Sequence, residues 1–100
     1  MLKVLNLILL ITIVNTASYA GDAERGSQLY SKCIECHGDQ GLGNVEQQAP
    51  KIAGQHEWYI VNQLNAFKTK VRKNPKMYPY INNLTQKDYE DLAAYVANLK

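Results

Sequence analysis

Residues 33–37 read Cys33-Ile34-Glu35-Cys36-His37, "CIECH", and hold both cysteines and one of the two histidines of this 100-residue chain. Thiols three residues apart at a helix end project to the same side, about one turn from each other. A disulfide uses the thiols and leaves His37 without a role. A thioredoxin-type redox pair belongs in a strand–helix–strand setting, and no such pattern flanks this motif. A structural zinc takes four ligands; the motif offers three, and His56 lies well downstream without paired spacing. Covalent haem attachment uses every residue: Cys33 and Cys36 add across two vinyl groups, and His37 turns under the macrocycle to bind iron. The spacing is fixed because both vinyls sit on one rigid ring. The motif therefore points to one haem c, with its iron, bonded through Cys33 and Cys36.

Toward the N-terminus the chain opens "MLKVLNLILLITIVNTASYA". Lys3, an apolar run from Val4 to Val14 broken by Asn6 and Thr12, and the small residues Ser18 and Ala20 form the parts of a secretory signal. The run is too short to cross a bilayer, which takes about 20 residues. Residues 1–20 are expected to be a signal peptide cleaved before Gly21, leaving residues 21–100 as one soluble, periplasmic domain. The formal net charge of +2 falls nearly to balance once Lys3 is removed, which gives no basis for nucleic-acid binding. A domain this small buries a modest core and commonly leans on a cofactor to complete it.

Toward the C-terminus three helical patterns appear and no convincing strand. Asp22 is a candidate N-cap for a helix reaching Cys33, with Gly26, Leu29, Tyr30 and Cys33 on one face. A glycine inside a helix costs about 1 kcal/mol against alanine and marks a close approach by another element. A second helix is expected from Trp58 to Val71, striped by Ile60, Leu64, Phe67 and Val71. The third starts at Thr85 with Asp88 as its capping-box partner. Tyr89, Leu92, Val96 and Leu99 mark its buried face, and Asp88, Glu90 and Asp91 are placed to match its dipole. "GDQGLGNVEQQAPKIAGQ" reads as a wrapped loop and "RKNPKMYPYINN" as a second irregular stretch.

Three segments, "CIECHG", "APKIAGQHEWYIVNQLNAF" and "KMYPYINNLTQKDYEDLAAYVANL", resemble the small class I c-type cytochromes, particularly the bacterial c4/c553-like group. The likeness covers essentially all of residues 21–100. It implies an all-α cytochrome c fold, three to five helices around one covalently bound haem, with histidine and methionine as axial ligands. On that resemblance Met77 is the distal ligand beside His37, and the Pro50 carbonyl orients the proximal imidazole. Gly26 and Tyr30 are implied to cross the last helix near Tyr95. This chain departs from the pattern at Lys76, where many relatives carry a first of two methionines.

Met77 also stands out on its own terms, as the single methionine after residue 20, in a proline-flanked polar loop with no apolar stripe to fill. A soft thioether favours ferrous iron and raises the reduction potential. His56 is the rival sixth ligand, but its place at the start of a helix reads as surface. Trp58, Tyr59 and Gln63 are readable either as propionate partners or as ordinary core and surface residues. With both axial positions filled by protein, no coordination site remains for substrate. No phosphate cradle, carboxylate pair or Ser/His/Asp set offers other catalysis.

The expected function is single-electron transfer between respiratory redox partners by a carrier that is not an enzyme. The alternatives are a haem sensor or peroxidatic protein with an open distal site, or an electron-transfer subunit of a larger oxidoreductase. Lys68, Lys70, Arg72, Lys73 and Lys76 form an acid-free basic run leading into the Met77 loop. It reads either as a solvated helix end or as a docking patch for an acidic redox partner, including membrane oxidase or reductase complexes.

Overall fold

The computed structural model describes residues 8–12 and 21–100. The expected cleavage residues, Ser18 to Ala20, lie outside the described residues. None of the described helices is long and apolar enough to cross a membrane.

The Asp22 carboxylate caps α1 (Ala23–Leu29), accepting from the Glu24 and Arg25 amides at 3.0 and 3.1 Å. The expected single helix to Cys33 is broken: the chain tightens into a 3₁₀ turn, Tyr30–Lys32, closed by the Cys33 amide on the Tyr30 carbonyl at 2.8 Å. The one-turn helix α2 (Ile34–His37) follows and stops at Gly38, whose φ of +83° suits glycine. The tighter i→i+3 turn replaces the last part of the expected helix, while Leu29, Tyr30 and Cys33 still pack on the same core.

Helix α3 (Glu57–Lys68) buries Ile60, Leu64 and Phe67 as the stripe requires. It ends short of Val71, which is 85% exposed and lies off that stripe. The Thr69 hydroxyl bonds back to the Asn65 carbonyl, and Lys70 takes a left-handed φ of +62°, so the helix cannot continue. A short helix the periodicity does not reveal, α4 (Tyr78–Ile81), follows Met77 with Pro79 in its first turn. Helix α5 (Gln86–Ala97) begins with the expected capping box, Thr85 and Asp88 each accepting the other's amide proton.

Helix α5 forms the centre of the packing, with α1 crossing one side and α3 the other. Tyr30, Ile81, Tyr89, Leu92, Ala93 and Val96 fill the space between them. At Gly26 the α1 and α5 backbones meet: a Cβ there would run into the Asp91 carbonyl and the Tyr95 side chain. Tyr30 and Tyr95 pack at that crossing with ring centroids 5.3 Å apart. Asp91, read from sequence as a dipole-matching charge, is buried at this seam, where it accepts the Asp22 amide at 2.8 Å and pairs with Arg25 at 2.7 Å.

Candidate haem site

The motif helix is set by two anchors. The Tyr30 hydroxyl donates to the Gly38 carbonyl at 2.5 Å, fixing the end of α2 against the core. Burial pushes that phenol up to about 12, with nearby Cys33, Tyr95 and Asp39 adding to the shift. The loop after Gly38 then wraps back. The Gly43 amide donates to the His37 carbonyl at 2.8 Å, and Asn44 and Ala49 bridge antiparallel. This is the one β feature among the described residues. Gly43, at φ +88°, lies so close to the Pro50–Lys51 backbone that a Cβ would strike it.

The outcome is a buried imidazole with a fixed orientation. His37 is 6% exposed, and its Nδ1 lies 2.9 Å from the Pro50 carbonyl oxygen. A carbonyl only accepts, so Nδ1 carries the proton and Nε2 is left as the lone-pair nitrogen. The ring lines a cavity of about 280 Å³ that also takes in Ile52, Ile60, Leu64, Phe67 and Met77. Lys51, Gln55, Gln63, Arg72 and Asn74 form its polar margin. An apolar floor with few convergent polar groups is the usual make-up of a cofactor site.

Of the residues singled out in the sequence, His37, Pro50 and Met77 thus gather on one cavity, with Tyr59 and Gln63 at its edge. Neither cysteine lines it. Cys33 borders a separate depression with Leu29, Tyr80, Ile81 and Leu84, and both thiols are half-buried and unbridged. Burial, with Cys36 next to it, pushes the Cys33 thiol up to about 11. His56 is exposed, stacked on Trp58, and away from the cavity; Trp58 is also exposed. The sequence reading missed Asn74, whose only written trace is the turn-forming Asn-Pro pair.

The basic run divides by what each cation touches. Lys68 reaches the Leu84 carbonyl at 3.3 Å. Arg72 donates to Gln63 at 2.7 Å and covers the Phe67 ring. Lys76 lies 3.3 Å from the Gln48 amide oxygen. Lys70, over the Tyr78 ring at 4.8 Å, and Lys73 line a second cavity, of about 330 Å³, which shares Phe67 and Asn74 with the first.

The sequence profile of the cytochrome c family matches residues 23–100. The chain belongs to the cytochrome c family. It is 44% identical over 82 residues to a cytochrome c4 of Thiocapsa roseopersicina, covering 81% of this chain and 42% of that one. It is 32% identical over 82 residues to cytochrome c-554(548) of Halomonas halodenitrificans, covering 79% of this chain and 98% of that one. The crystal structure of reduced cytochrome c4 from Pseudomonas stutzeri superposes with a TM-score of 0.72 at 30% identity, covering 78% of this chain and 48% of that chain. The chain spans about half or less of the length of the cytochrome c4 relatives it matches. The family's cofactor is haem c with its iron, held covalently, and Cys33, Cys36 and His37 supply the attachment motif. The residues present fit that group: a buried imidazole, oriented by the Pro50 carbonyl, and a thioether line one largely apolar cavity.

Proposed function

We propose that this chain is an exported, periplasmic single-haem electron carrier, acting free or as the electron-transfer subunit of a larger oxidoreductase, and that it is not itself an enzyme. In this reading residues 1–20 are the removed signal and residues 21–100 the working domain. Cys33 and Cys36 would carry the thioether links, His37 and Met77 would hold the iron, and Pro50 holds the imidazole.

The observation that carries the reading is the pairing of an oriented His37 with Met77 on one cavity. When bound, the haem supplies an iron that takes one electron from a reduced protein partner and passes it to an oxidised one. The chain's own residues do the rest. The Pro50 carbonyl fixes the tautomer, so His37 presents a basic nitrogen without rotating. Ile52, Ile60, Leu64 and Phe67 keep water from the cavity floor and favour the less charged state. Met77, on the same cavity, would add a soft donor, which raises the potential. With both ligands supplied by the protein, little would need to rearrange on gain or loss of one electron.

Docking is assigned to the Lys70–Lys73 face, because these two cations border a cavity that shares Phe67 and Asn74 with the first. The partner is a redox protein with an acidic surface, met in brief, weak encounters.

The test is a redox titration with carbon monoxide addition to the ferrous protein. The carrier reading predicts a one-electron wave and no carbon monoxide binding at neutral pH, with Met77→Ala lowering the potential and gaining binding. Ready binding by the unaltered protein would establish the open-site sensor or peroxidatic reading instead.

A further inference from the structure

We propose that Asn74 is the positioning residue for Met77: by gathering three successive backbone amides, it folds the loop that presents the thioether to the cavity. The inference rests on Met77 as the distal ligand and adds what holds it there.

The side-chain oxygen of Asn74 accepts from the Lys76 amide at 3.1 Å and from the Met77 amide at 3.2 Å. Its backbone carbonyl accepts from the Tyr78 amide at 3.0 Å. One residue therefore satisfies the amides immediately before, at and after Met77. Asparagine suits this because its short side chain reaches the backbone two and three residues on, as in an Asx turn. Pro75 supports the turn by fixing its own φ and bringing no amide that needs a partner.

Beyond this clamp, Met77 packs against the core and its carbonyl accepts from the Tyr80 amide at 3.0 Å. Met77 precedes the four-residue α4 and has no side-chain cap other than this clamp. Lys76, whose amide Asn74 holds, extends its ammonium to the Gln47 carbonyl at 3.5 Å and the Gln48 side chain at 3.3 Å. Those residues lead into Ala49 and Pro50, so the turn also spans from the methionine wall to the imidazole wall. Asn74 itself lines both cavities. Without its acceptor, the Lys76 and Met77 amides turn to water and the loop is free to carry Met77 away from the iron.

The test compares Asn74→Ala and Asn74→Asp in the haem-loaded protein, with Met77→Ala as control. The readouts are the ferric sulfur-to-iron absorption band and the affinity for added imidazole, which competes with Met77. Asn74→Ala is expected to weaken the band and to bind imidazole about tenfold more tightly, the effect of losing one to two backbone hydrogen bonds. Asn74→Asp keeps an acceptor oxygen and is expected to restore both. If Asn74→Ala keeps the parental band and imidazole affinity, or if Asn74→Asp fails like alanine, the positioning role is wrong. A band that survives in Met77→Ala would overturn the ligand assignment itself, a separate outcome. Loss of fold would show as lost α-helical signal in all forms, whereas rescue by aspartate isolates the acceptor oxygen.

Discussion

Tyr30 joins the core to the site through one hydrogen bond. Its ring is 1% exposed between α1 and α5, and its hydroxyl reaches the carbonyl of the residue after His37. Removing the hydroxyl leaves that carbonyl without its donor, at a cost of about 1–2 kcal/mol. Tyr30→Phe is therefore expected to lower the thermal midpoint by roughly 5–10 °C in a domain of this size. The iron ligands should be unchanged, because the Pro50 contact to His37 stays intact. Calorimetry alongside the visible spectrum checks both halves. A midpoint within a degree of the parent would show that the bond contributes nothing. His37 carries the same lesson at shorter range. Its basic nitrogen is available because Pro50, thirteen residues on, occupies the other nitrogen.

The α1–α5 crossing is where elements decide stability. Gly26→Ala places a methyl against the Asp91 backbone carbonyl and the Tyr95 side chain. Separating the helices should cost about 1–3 kcal/mol, which denaturant unfolding measures as a fall in midpoint at unchanged slope. Beside that contact, Asp88 and Asp91 both pair with Arg25, and Lys87 adds to Asp91. The Thr85 amide chiefly holds the Asp88 carboxyl below the usual range, against some burial. At Asp91 burial pushes upward, but the Asp22 amide, Arg25 and Lys87 together outweigh it and the carboxyl also falls below its usual range. With folded values below the unfolded ones, the unfolded chain binds more protons in between, so stability rises with pH there. The contribution is complete above the ordinary carboxylate value of about 4 and disappears as pH falls through the lower folded values. Thermal midpoints from pH 2 to 6 should therefore drop only in the acid part of the range. Asp91→Asn should flatten that drop, and an unaltered acid profile in this variant would remove the cluster from the account.

Legibility in the sequence follows from how local each cause is. The Asp22 cap, the Thr85–Asp88 box and the Ile60, Leu64, Phe67 stripe depend on residues within one or two turns, and they stand where the pattern puts them. The break after Leu29 and the stop before Val71 depend on where the chain must turn to pack, which periodicity does not encode. Asp91 reads only as a dipole-matching charge until its partners, 66 and 69 residues away, are folded against it. The short α4 is likewise hidden, being a single turn shaped by Asn74 and Pro79. The attachment motif is legible because its chemistry is contiguous. Met77 is legible as an oddity of composition, but its sharing of a cavity with His37 appears only in the folded chain.

Across the whole molecule, charge placement matters more than net charge. Lys70 and Lys73 stand on one face beside the site, while Asp88 and Asp91 are occupied in internal pairing at α5. A Lys70→Glu/Lys73→Glu variant should therefore react with an acidic redox protein about tenfold more slowly at low ionic strength, and at nearly the parental rate in high salt. Stopped-flow rates against salt concentration check this. Equal rates for variant and parent throughout would place docking elsewhere. Lys68→Gln should have a smaller kinetic effect, since it removes one charge where the double reversal changes the total by four.

All of these expectations presuppose one coordination environment, and X-ray absorption at the iron edge reads it without reference to partner or rate. For the oxidised protein the account predicts, besides the porphyrin, one imidazole nitrogen and one sulfur neighbour, with the sulfur lost in Met77→Ala. A first shell without sulfur, or one unchanged by that substitution, would contradict the assignment of His37 and Met77 as the pair that holds the iron.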